Sequence, residues 1–461
     1  MRYISTRGLS PSLSFAETVM KGLADDGGLF LPESYPWFGP GERRRWSGLS
    51  FQELALEILR PFVDGEIPDG DLASLIRRAY AGFSHPEITP LVRVGNQWIL
   101  ELFHGPTLAF KDVALQFLGR LFEYFLQRDG GFLTILGATS GDTGSAAIHG
   151  VRGRERIRIF ILHPHGRVSP IQERQMTTVL DDNVHNIAIQ GVFDDGQRIV
   201  KELFGDAEFR DRWRLGAVNS INWARILAQI IYYAHAWSRV AGEDPEREVV
   251  FSVPTGNFGD IFAGYVAQRM GVPIRRLILA TNRNDILTRF VHSGTYRTGE
   301  VVPTVSPSMD IQVSSNFERY LYHLMGDDGA AVREMMAALN QEGEFAVPSE
   351  KFAQVAGIFT ARAVGEAETL ERIRRTWQES GYLLDPHTAV GVAAAEGESE
   401  AICLATAHPA KFGDAVRQAV GFEPELPPPL VGLLDKPARC QILPADAASV
   451  KGFMEKTLTV G

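Results

Sequence analysis

Lys111 lies at the start of a segment, residues 110–126, in which apolar residues recur on almost every face of a predicted helix. A helix that is apolar all round is buried, and the positive end of its dipole lies at its first turn. Burial and the dipole both disfavour a charged lysine amine there. A neutral amine can form an imine with a carbonyl group and can shuttle protons. The segment alone also fits a lysine that extends to solvent beside Asp112, so this structural interpretation stays open.

The stretch LGATSGDTGSAA, at residues 136–147, has the pattern of a strand end, a turn and a helix start. Gly141 and Gly144 would let the backbone approach a ligand closely, with unpaired N–H groups facing an anion. Three hydroxyl groups add donors, those of Thr139, Ser140 and Thr143. The same residue types are the favoured caps of a helix, so the turn predicts either an anion site or a capped helix start.

A second strand–turn–helix pattern, VPTGNFGDIFAG, occupies residues 253–264. Its turn, residues 255–259, would form a nest of backbone amides suited to a phosphate group. The turn has neither a Walker lysine nor a G-x-G-x-x-G spacing, so it is not typical of either common nucleotide site. A phosphate cradle without a lysine favours a small phosphorylated cofactor.

Both turns follow short apolar runs that alternate with helical patterns from residue 99 onward. Such alternation indicates an α/β fold with a mostly parallel sheet. Before it, residues 51–62 and 71–83 show apolar residues at three- and four-residue spacing, which predicts two amphipathic helices. A hairpin is expected at Gly95-Asn96. The sequence ELPPPL, residues 425–430, is expected to be a linker to a short C-terminal segment.

The amino-acid composition argues against several classes of function. The 461 residues include 46 basic and 56 acidic side chains, a formal charge of −10, which argues against nucleic acid or an anionic membrane as the main partner. Cys403 and Cys440, the two cysteines, give no metal spacing and no disulfide framework. No apolar run approaches the roughly 20 residues that span a bilayer. We therefore expect a cytoplasmic protein without a metal site.

Several motifs, in this order along the chain, resemble the threonine synthase family. They are ISTRG, ELFHGPTLAFKD, GATSGDTGSAA, HPHGRVSPIQERQMTT, VNSINWARI, PTGNFGD, LDPHTAVG and ATAHPAKFG. The segment SSNFERY, residues 314–320, also resembles a family motif, and no role for it follows from the sequence. The similarity is closest to the longer bacterial and fungal form, and it extends over nearly the whole chain.

The resemblance implies a two-lobed fold of the tryptophan-synthase-β type (fold type II), with pyridoxal 5'-phosphate between the lobes and an extra N-terminal domain. The implied division is an N-terminal domain at 1–90, a first lobe at 91–240 and a second lobe at 241–461. By the same resemblance, Lys111 forms the imine with the cofactor and Thr406 meets its pyridine nitrogen. The cofactor phosphate would be held by the loop residues Thr255, Gly256, Asn257, Phe258 and Gly259.

The turn of Thr139, Ser140, Gly141, Asp142 and Thr143 matches the region that holds the amino acid carboxylate in the family. In many relatives an Asn of this turn faces the cofactor's ring hydroxyl, whereas this chain has Asp142, so the contact to the ring oxygen is open. The substrate phosphate needs cationic or amide donors. The candidates are Arg167, Asn219, Arg225 and Lys411, and each is also compatible with a structural ion pair or hydrogen bond.

The family reaction converts O-phospho-L-homoserine and water to L-threonine and phosphate by β,γ-elimination and replacement, in a monomer or homodimer. One alternative is a phospholyase of the same fold that gives 2-oxobutyrate. Another is a catalytically silent binding protein, against which the intact Lys111 and both turns count. A dinucleotide-dependent oxidoreductase would need a glycine fingerprint that neither turn has.

Overall fold

The computed structural model of the protein describes residues 1–460, without the side chain of Val460. The first 80 residues hold six elements: β1 Tyr3–Ser5, α1 Phe15–Lys21, β2 Phe30–Pro32, α2 Pro40–Trp46, α3 Phe51–Val63 and α4 Asp69–Tyr80. The amphipathic helix α3 shows why they form. Ser50 and Glu53 close a capping box at its start, and its apolar residues, among them Leu54 and Ile58, are buried on one face.

Strands and helices then alternate. They are β3 Leu91–Val94, β4 Gln97–Glu101, α5 Lys111–Asp129, β5 Leu133–Ala138, α6 Asp142–Val151, β6 Ile157–Pro164, α7 Pro170–Thr177, β7 Val184–Gln190, α8 Phe193–Gly205, α9 Ala207–Trp213, β8 Leu215–Gly216, α10 Trp223–Ala241, β9 Val249–Pro254, α11 Gly259–Arg269 and β10 Ile274–Thr281.

The remaining elements include four short 3₁₀ turns, Pro307–Met309, Pro409–Phe412, Pro428–Leu430 and Leu433–Asp435. The helices and strands are α12 Ile286–Ser293, β11 Thr295–Arg297, α13 Phe317–Leu324, α14 Gly329–Glu342, β12 Glu344–Ala346, α15 Ser349–Val355, β13 Phe359–Ala363, α16 Glu366–Ser380, α17 Pro386–Ala394, β14 Ile402–Ala405, α18 Gly413–Val420, β15 Gln441–Pro444 and α19 Ala447–Val460.

The chain divides into two compact units, and the first comprises residues 1–114 and 220–425. Its main sheet has the strand order β13-β10-β9-β14-β4-β3. Neighbouring strands are parallel except for the β3–β4 pair, which is the predicted hairpin. All six residues of β9 are buried, as expected for a central strand with both faces covered.

The second unit comprises residues 115–219 and the chain from residue 426 onward. Its sheet, in the order β15-β7-β6-β5-β8, is parallel throughout. The C-terminal helix α19 packs on this sheet together with α8, and buried residues from all three form one apolar cluster: Leu136, Phe160, Ile187, Ile199, Val450 and Met454. The predicted linker at 425–430 lies where the chain passes from the first unit into the second.

The predicted helices at 51–62 and 71–83, the hairpin and the mostly parallel α/β sheets are confirmed. Over residues 1–460, no helix has the length and apolar character needed to cross a membrane. The two units are defined by contacts within the chain and do not decide the domain division at 90 and 240, which stays a prediction.

Helices α5 and α6 touch through two glycines. A Cβ atom placed on Gly119 would lie 2.0 Å from the carbonyl oxygen of Gly150. We expect Gly119→Ala to lower the free energy of unfolding by about 1–3 kcal/mol, because the helices must separate to admit the methyl group. In the control Gly70→Ala, no atom lies within 4 Å of the added carbon. Thermal unfolding of both variants tests this, and equal melting temperatures would contradict it.

Candidate functional site

Three of the predicted site segments follow three neighbouring strands of the first unit. Thr255 follows β9, Thr406 follows β14, and the segment that leads to Lys111 follows β4. These strands lie side by side and run parallel, so their carboxyl ends meet at one edge of the sheet. Ligands of open α/β sheets bind at this edge. Residues far apart in the sequence are therefore brought together.

The Lys111 segment is hydrogen-bonded to the Thr406 segment. Phe110 N–H donates to the Thr406 carbonyl oxygen at 2.8 Å, and His408 N–H donates to that of Leu108 at 3.0 Å. Lys111 is the first residue of α5 and is half-buried. Its Nζ lies 5.2 Å from the centroid of the Phe110 ring. The predicted pairing of Lys111 and Thr406 at one site is thus compatible with the backbone geometry.

Asp112 supports the loop that precedes Lys111. Its carboxylate accepts hydrogen bonds from the N–H and the hydroxyl of Thr107, both at 2.8 Å. Burial raises the Asp112 pKa to about 6, while the Thr107 bonds and the Lys411 charge oppose the rise. A Cβ atom on Gly105 would lie 2.4 Å from that of Asp112, so this close approach requires glycine. Asp112 is therefore a loop anchor.

Lys411, a candidate ligand of the substrate phosphate, is buried and donates to the Thr107 carbonyl oxygen at 2.7 Å. Its charge also faces Asp112. These contacts correspond to the structural alternative that the sequence left open, and its role toward a substrate stays a prediction.

The loop 255–259 has the geometry of an anion cradle. Phe258 adopts φ 61° and caps the N-terminus of α11. The backbone N–H groups of residues 256–259 have no acceptor among residues 1–460. A helix N-terminus with four such donors binds a phosphate group well. The side-chain position of Gly256 is closed, since a Cβ atom there would lie 3.0 Å from the Ser308 carbonyl oxygen. The donor set fits the phosphate of pyridoxal phosphate.

Beneath this loop, Asp260 accepts hydrogen bonds from the hydroxyls of Tyr232 at 2.5 Å and Tyr233 at 2.9 Å. Burial raises the Asp260 pKa to about 6, although both hydroxyls lower it. This cluster was not predicted from the sequence. Its signal was the pair of adjacent tyrosines within an otherwise apolar helix, because buried tyrosine hydroxyls need partners.

Arg225 lies on the same helix as these tyrosines and is only 3% exposed. Its Nε and Nη1 atoms are buried, and no acceptor for them is found within the described residues. Burial lowers its pKa to about 10, partly offset by the Tyr232 side chain. A buried guanidinium with unused donors is costly unless an anion binds to it. Of the four candidates for binding the substrate phosphate, Arg225 is a buried guanidinium with unused donors.

The turn 139–143 lies in the second unit, at the N-terminus of α6. The hydroxyl of Thr139 accepts from the N–H groups of Gly141 at 3.0 Å and Gly144 at 2.9 Å, so this side chain shapes the turn. Ser140 is exposed and Thr143 is half-buried. Their backbone N–H groups have no acceptor within residues 1–460, so this turn also offers donors to an anion.

Asp142 is buried, and its Oδ1 accepts from the amide of Gln172 on α7 at 2.8 Å. Gln172 also lies where a side chain on Gly141 would be, 2.5 Å from its Cβ position. Gly141, at φ 144°, is therefore fixed as glycine by both its backbone and its neighbour. The contact of Asp142 to a cofactor oxygen stays a prediction.

Arg167 and Asn219, the last two candidates, are exposed residues of the second unit. Arg167 lies in the loop between β6 and α7, and its N–H donates to the Pro164 carbonyl oxygen at 3.3 Å. Over the described chain, no group of His, Cys, Asp and Glu could hold a metal ion.

Three profiles of known families match most of the chain. Residues 2–80 match the profile "Threonine synthase N terminus", residues 84–356 match "Pyridoxal-phosphate dependent enzyme", and residues 388–454 match "Threonine synthase, C-terminal". The middle match, which covers more than half of the chain, contains Lys111 and both turns.

Individual relatives agree with these profiles. The threonine synthase of Pseudomonas aeruginosa is 51% identical over 99% of this chain and 98% of its own. That of Saccharomyces cerevisiae is 50% identical over 91% of this chain and 89% of its own. Among solved structures, the PLP-bound threonine synthase of Brucella melitensis has a TM-score of 0.96 and 49% identity over 99% of both chains. The chain therefore belongs to the threonine synthase family of pyridoxal-phosphate-dependent enzymes.

Proposed function

We propose that this protein converts O-phospho-L-homoserine and water to L-threonine and phosphate. In this reaction a proton leaves Cβ and the phosphate group leaves Cγ. A proton is then added at Cγ, and the hydroxyl of water is added at Cβ. The observation that supports the proposal best is the joint placement of Lys111, Thr406 and the loop 255–259 at one edge of the first unit's sheet. A cytoplasmic location and a monomeric or homodimeric state remain part of the same proposal.

The residues present would hold pyridoxal phosphate at three points. Lys111 would bind it covalently through Nζ, the N–H groups of residues 256–259 would bind its phosphate, and Thr406 would meet its pyridine nitrogen. When bound, the cofactor supplies an electron sink for the negative charge left at the substrate Cα. The absence of a basic residue in the loop is compensated by the α11 dipole and the four amide donors.

In the proposed reaction, Lys111 transfers protons to and from the substrate. Its released amine would remove the Cα proton of the substrate and return a proton to Cα at the end of the reaction. The loop anchored by Asp112 fixes the start of α5, which limits where Nζ can reach. Thr406 is uncharged, so it would not hold a proton firmly on the pyridine nitrogen, which favours a limited β,γ-elimination.

For the substrate, we infer that the turn 139–143 binds the amino acid carboxylate with backbone and hydroxyl donors. We also infer that Arg225 binds the substrate phosphate, because its buried Nε and Nη1 groups lack an acceptor in the described chain. A doubly charged phosphate would offset the cost of burying this guanidinium. Arg167, Asn219 and Lys411 remain further candidates for the same group.

Replacing Lys111 with alanine tests the central role. Lys111→Ala should lose the visible absorbance that a lysine-linked pyridoxal phosphate gives, and turnover should fall by at least about 100-fold. Absorbance spectroscopy and a phosphate-release assay measure the two effects. The control Lys201→Ala changes an exposed lysine of α8 and should behave as wild type. An unchanged spectrum in Lys111→Ala would exclude this residue as the attachment point.

The product distinguishes the synthase from the phospholyase alternative. With O-phospho-L-homoserine as substrate, we expect one threonine for each phosphate released, because the intermediate is held until water adds to it. Amino acid analysis and a 2-oxobutyrate assay in the same reaction quantify both outcomes. Equal amounts of 2-oxobutyrate and phosphate, with no threonine, would support the phospholyase. No reaction, with cofactor bound, would support the binding protein.

Arg225→Met separates a binding role from a structural one. The uncharged side chain removes a buried charge, so the melting temperature of the apoprotein should stay the same or rise. The KM for O-phospho-L-homoserine should increase about 10- to 100-fold, as expected for losing a charged hydrogen bond. Cofactor affinity should not change. A lower melting temperature with an unchanged KM would assign Arg225 a structural role instead.

A further inference from the structure

The segment SSNFERY, residues 314–320, has no role in the proposed chemistry, yet it follows the cofactor-phosphate loop closely. Ser314 Oγ donates to the Gly256 carbonyl oxygen at 2.7 Å. The backbone N–H and the side-chain amide of Asn316 both donate to the Asn257 carbonyl oxygen, at 3.0 and 3.1 Å. These bonds satisfy two of the loop's carbonyl groups, those of Gly256 and Asn257.

Further contacts fix the loop's side chains. Ser315 Oγ donates to Oδ1 of Asn257 at 3.2 Å and is 2.9 Å from the Ser220 hydroxyl. The ring centroids of Phe317 and Phe258 are 5.1 Å apart at a steep angle. The ring of Phe258 is thus packed on the segment, while its backbone adopts a left-handed conformation that a bulky residue seldom adopts without support.

The other end of the segment is attached to the N-terminal residues. Glu318 accepts from the Thr6 hydroxyl at 2.6 Å and from Arg7 Nη2 at 3.0 Å. Its neighbour Arg319, with no exposed surface, donates through Nε to the Phe30 carbonyl oxygen at 3.0 Å and through Nη2 to that of Ile221 at 2.5 Å.

Arg319 also connects these two ends. Its Nη1 donates to Oδ1 of Asn316, the residue whose amide group holds Asn257. Burial lowers the Arg319 pKa to about 9, and three acceptors on three different segments offset part of that cost. A hydrogen-bonded path therefore runs from Phe30 through Arg319 and Asn316 to the loop.

We propose that residues 314–320 are a positioning element for the cofactor-phosphate loop, and that residues 1–32 stabilise the loop through it. The proposal rests on the proposed function in one respect, the use of loop 255–259 for pyridoxal phosphate. The loop can direct its N–H groups at a phosphate only while its carbonyl groups are held on the opposite side. Asn316 supplies two of the three donors to the Gly256 and Asn257 carbonyl oxygens, and the Phe262 N–H group holds that of Phe258.

Asn316→Asp tests the loop contact with little change in volume. The variant keeps an acceptor for Arg319, but it replaces the donor to the Asn257 carbonyl oxygen with a carboxylate oxygen that repels it. Asn186→Asp is a matched control in the second unit. Asn186 is also buried, and its side-chain amide donates to a carbonyl oxygen, that of Met176, at the same 3.1 Å.

Dissociation constants for pyridoxal phosphate, measured by titrating each apoprotein, give the first readout. We expect an increase of at least about tenfold for Asn316→Asp and less than about twofold for Asn186→Asp, since only the first disturbs the donors of the cradle. Both apoproteins should lose thermal stability. Equal increases in the two variants, or wild-type affinity in Asn316→Asp, would overturn the positioning role.

Arg319→Met tests the connection to the N-terminal residues, because it removes the bonds to Phe30 and Asn316 together. Amide hydrogen exchange of the apoprotein should become faster in peptides from residues 28–33 and also in those from 255–262, where Thr255 and Phe262 N–H groups are bonded to carbonyl oxygens. Faster exchange at residues 28–33 alone would overturn the connection. If the wild type binds no pyridoxal phosphate, the proposed function fails, whereas this exchange experiment still decides the connection.

Discussion

The loop 255–259 must find donors for its carbonyl oxygens while its N–H groups stay available, and this requirement determines which residues of the first unit surround it. The loop can offer its N–H groups to a phosphate only if the oxygens of the same peptide units find donors within the protein. Ser314 and Asn316 are the donors to the Gly256 and Asn257 oxygens, Phe262 N–H donates to that of Phe258, and Arg319 donates to the Asn316 side chain. An isolated strand–turn–helix pattern therefore does not make the cradle. It needs a second segment, fixed in turn by residues from the N-terminal region.

Buried charges around the site follow two different patterns. Asp112 and Lys411 lie close enough for the lysine to lower the carboxyl pKa, and both also hold Thr107, so they stabilise one loop together. Arg225 has unused buried donors instead. Because an unpaired buried charge destabilises the protein without a ligand, it is better explained by binding than by stability. The two patterns differ in the partners of the buried charge, and this difference is the ground on which we propose a binding role for Arg225.

Local pattern was sufficient to predict the strands, the turns that follow them and the buried helix after Lys111, because each depends on residues adjacent in the chain. The supports of the site could not be predicted in this way. Asn316 reaches Asn257 across 59 residues, and the strand order β9-β14-β4 joins segments from distant parts of the sequence. Asp112 lies in the first turn of α5, but its hydrogen bonds to Thr107 depend on the fold of the preceding loop and could not be predicted from the local pattern.

The two glycine-rich turns, so similar in sequence, are stabilised by different means. In the turn 139–143 the Thr139 hydroxyl accepts from the N–H groups of Gly141 and Gly144, and Gln172 of α7 holds Asp142. The loop 255–259 is held by residues 314–316 and, through Arg319, by Phe30. The first turn is therefore supported by residues between β5 and α7. The second also depends on segments far from it in the sequence, which is why its supports could not be predicted from the local pattern.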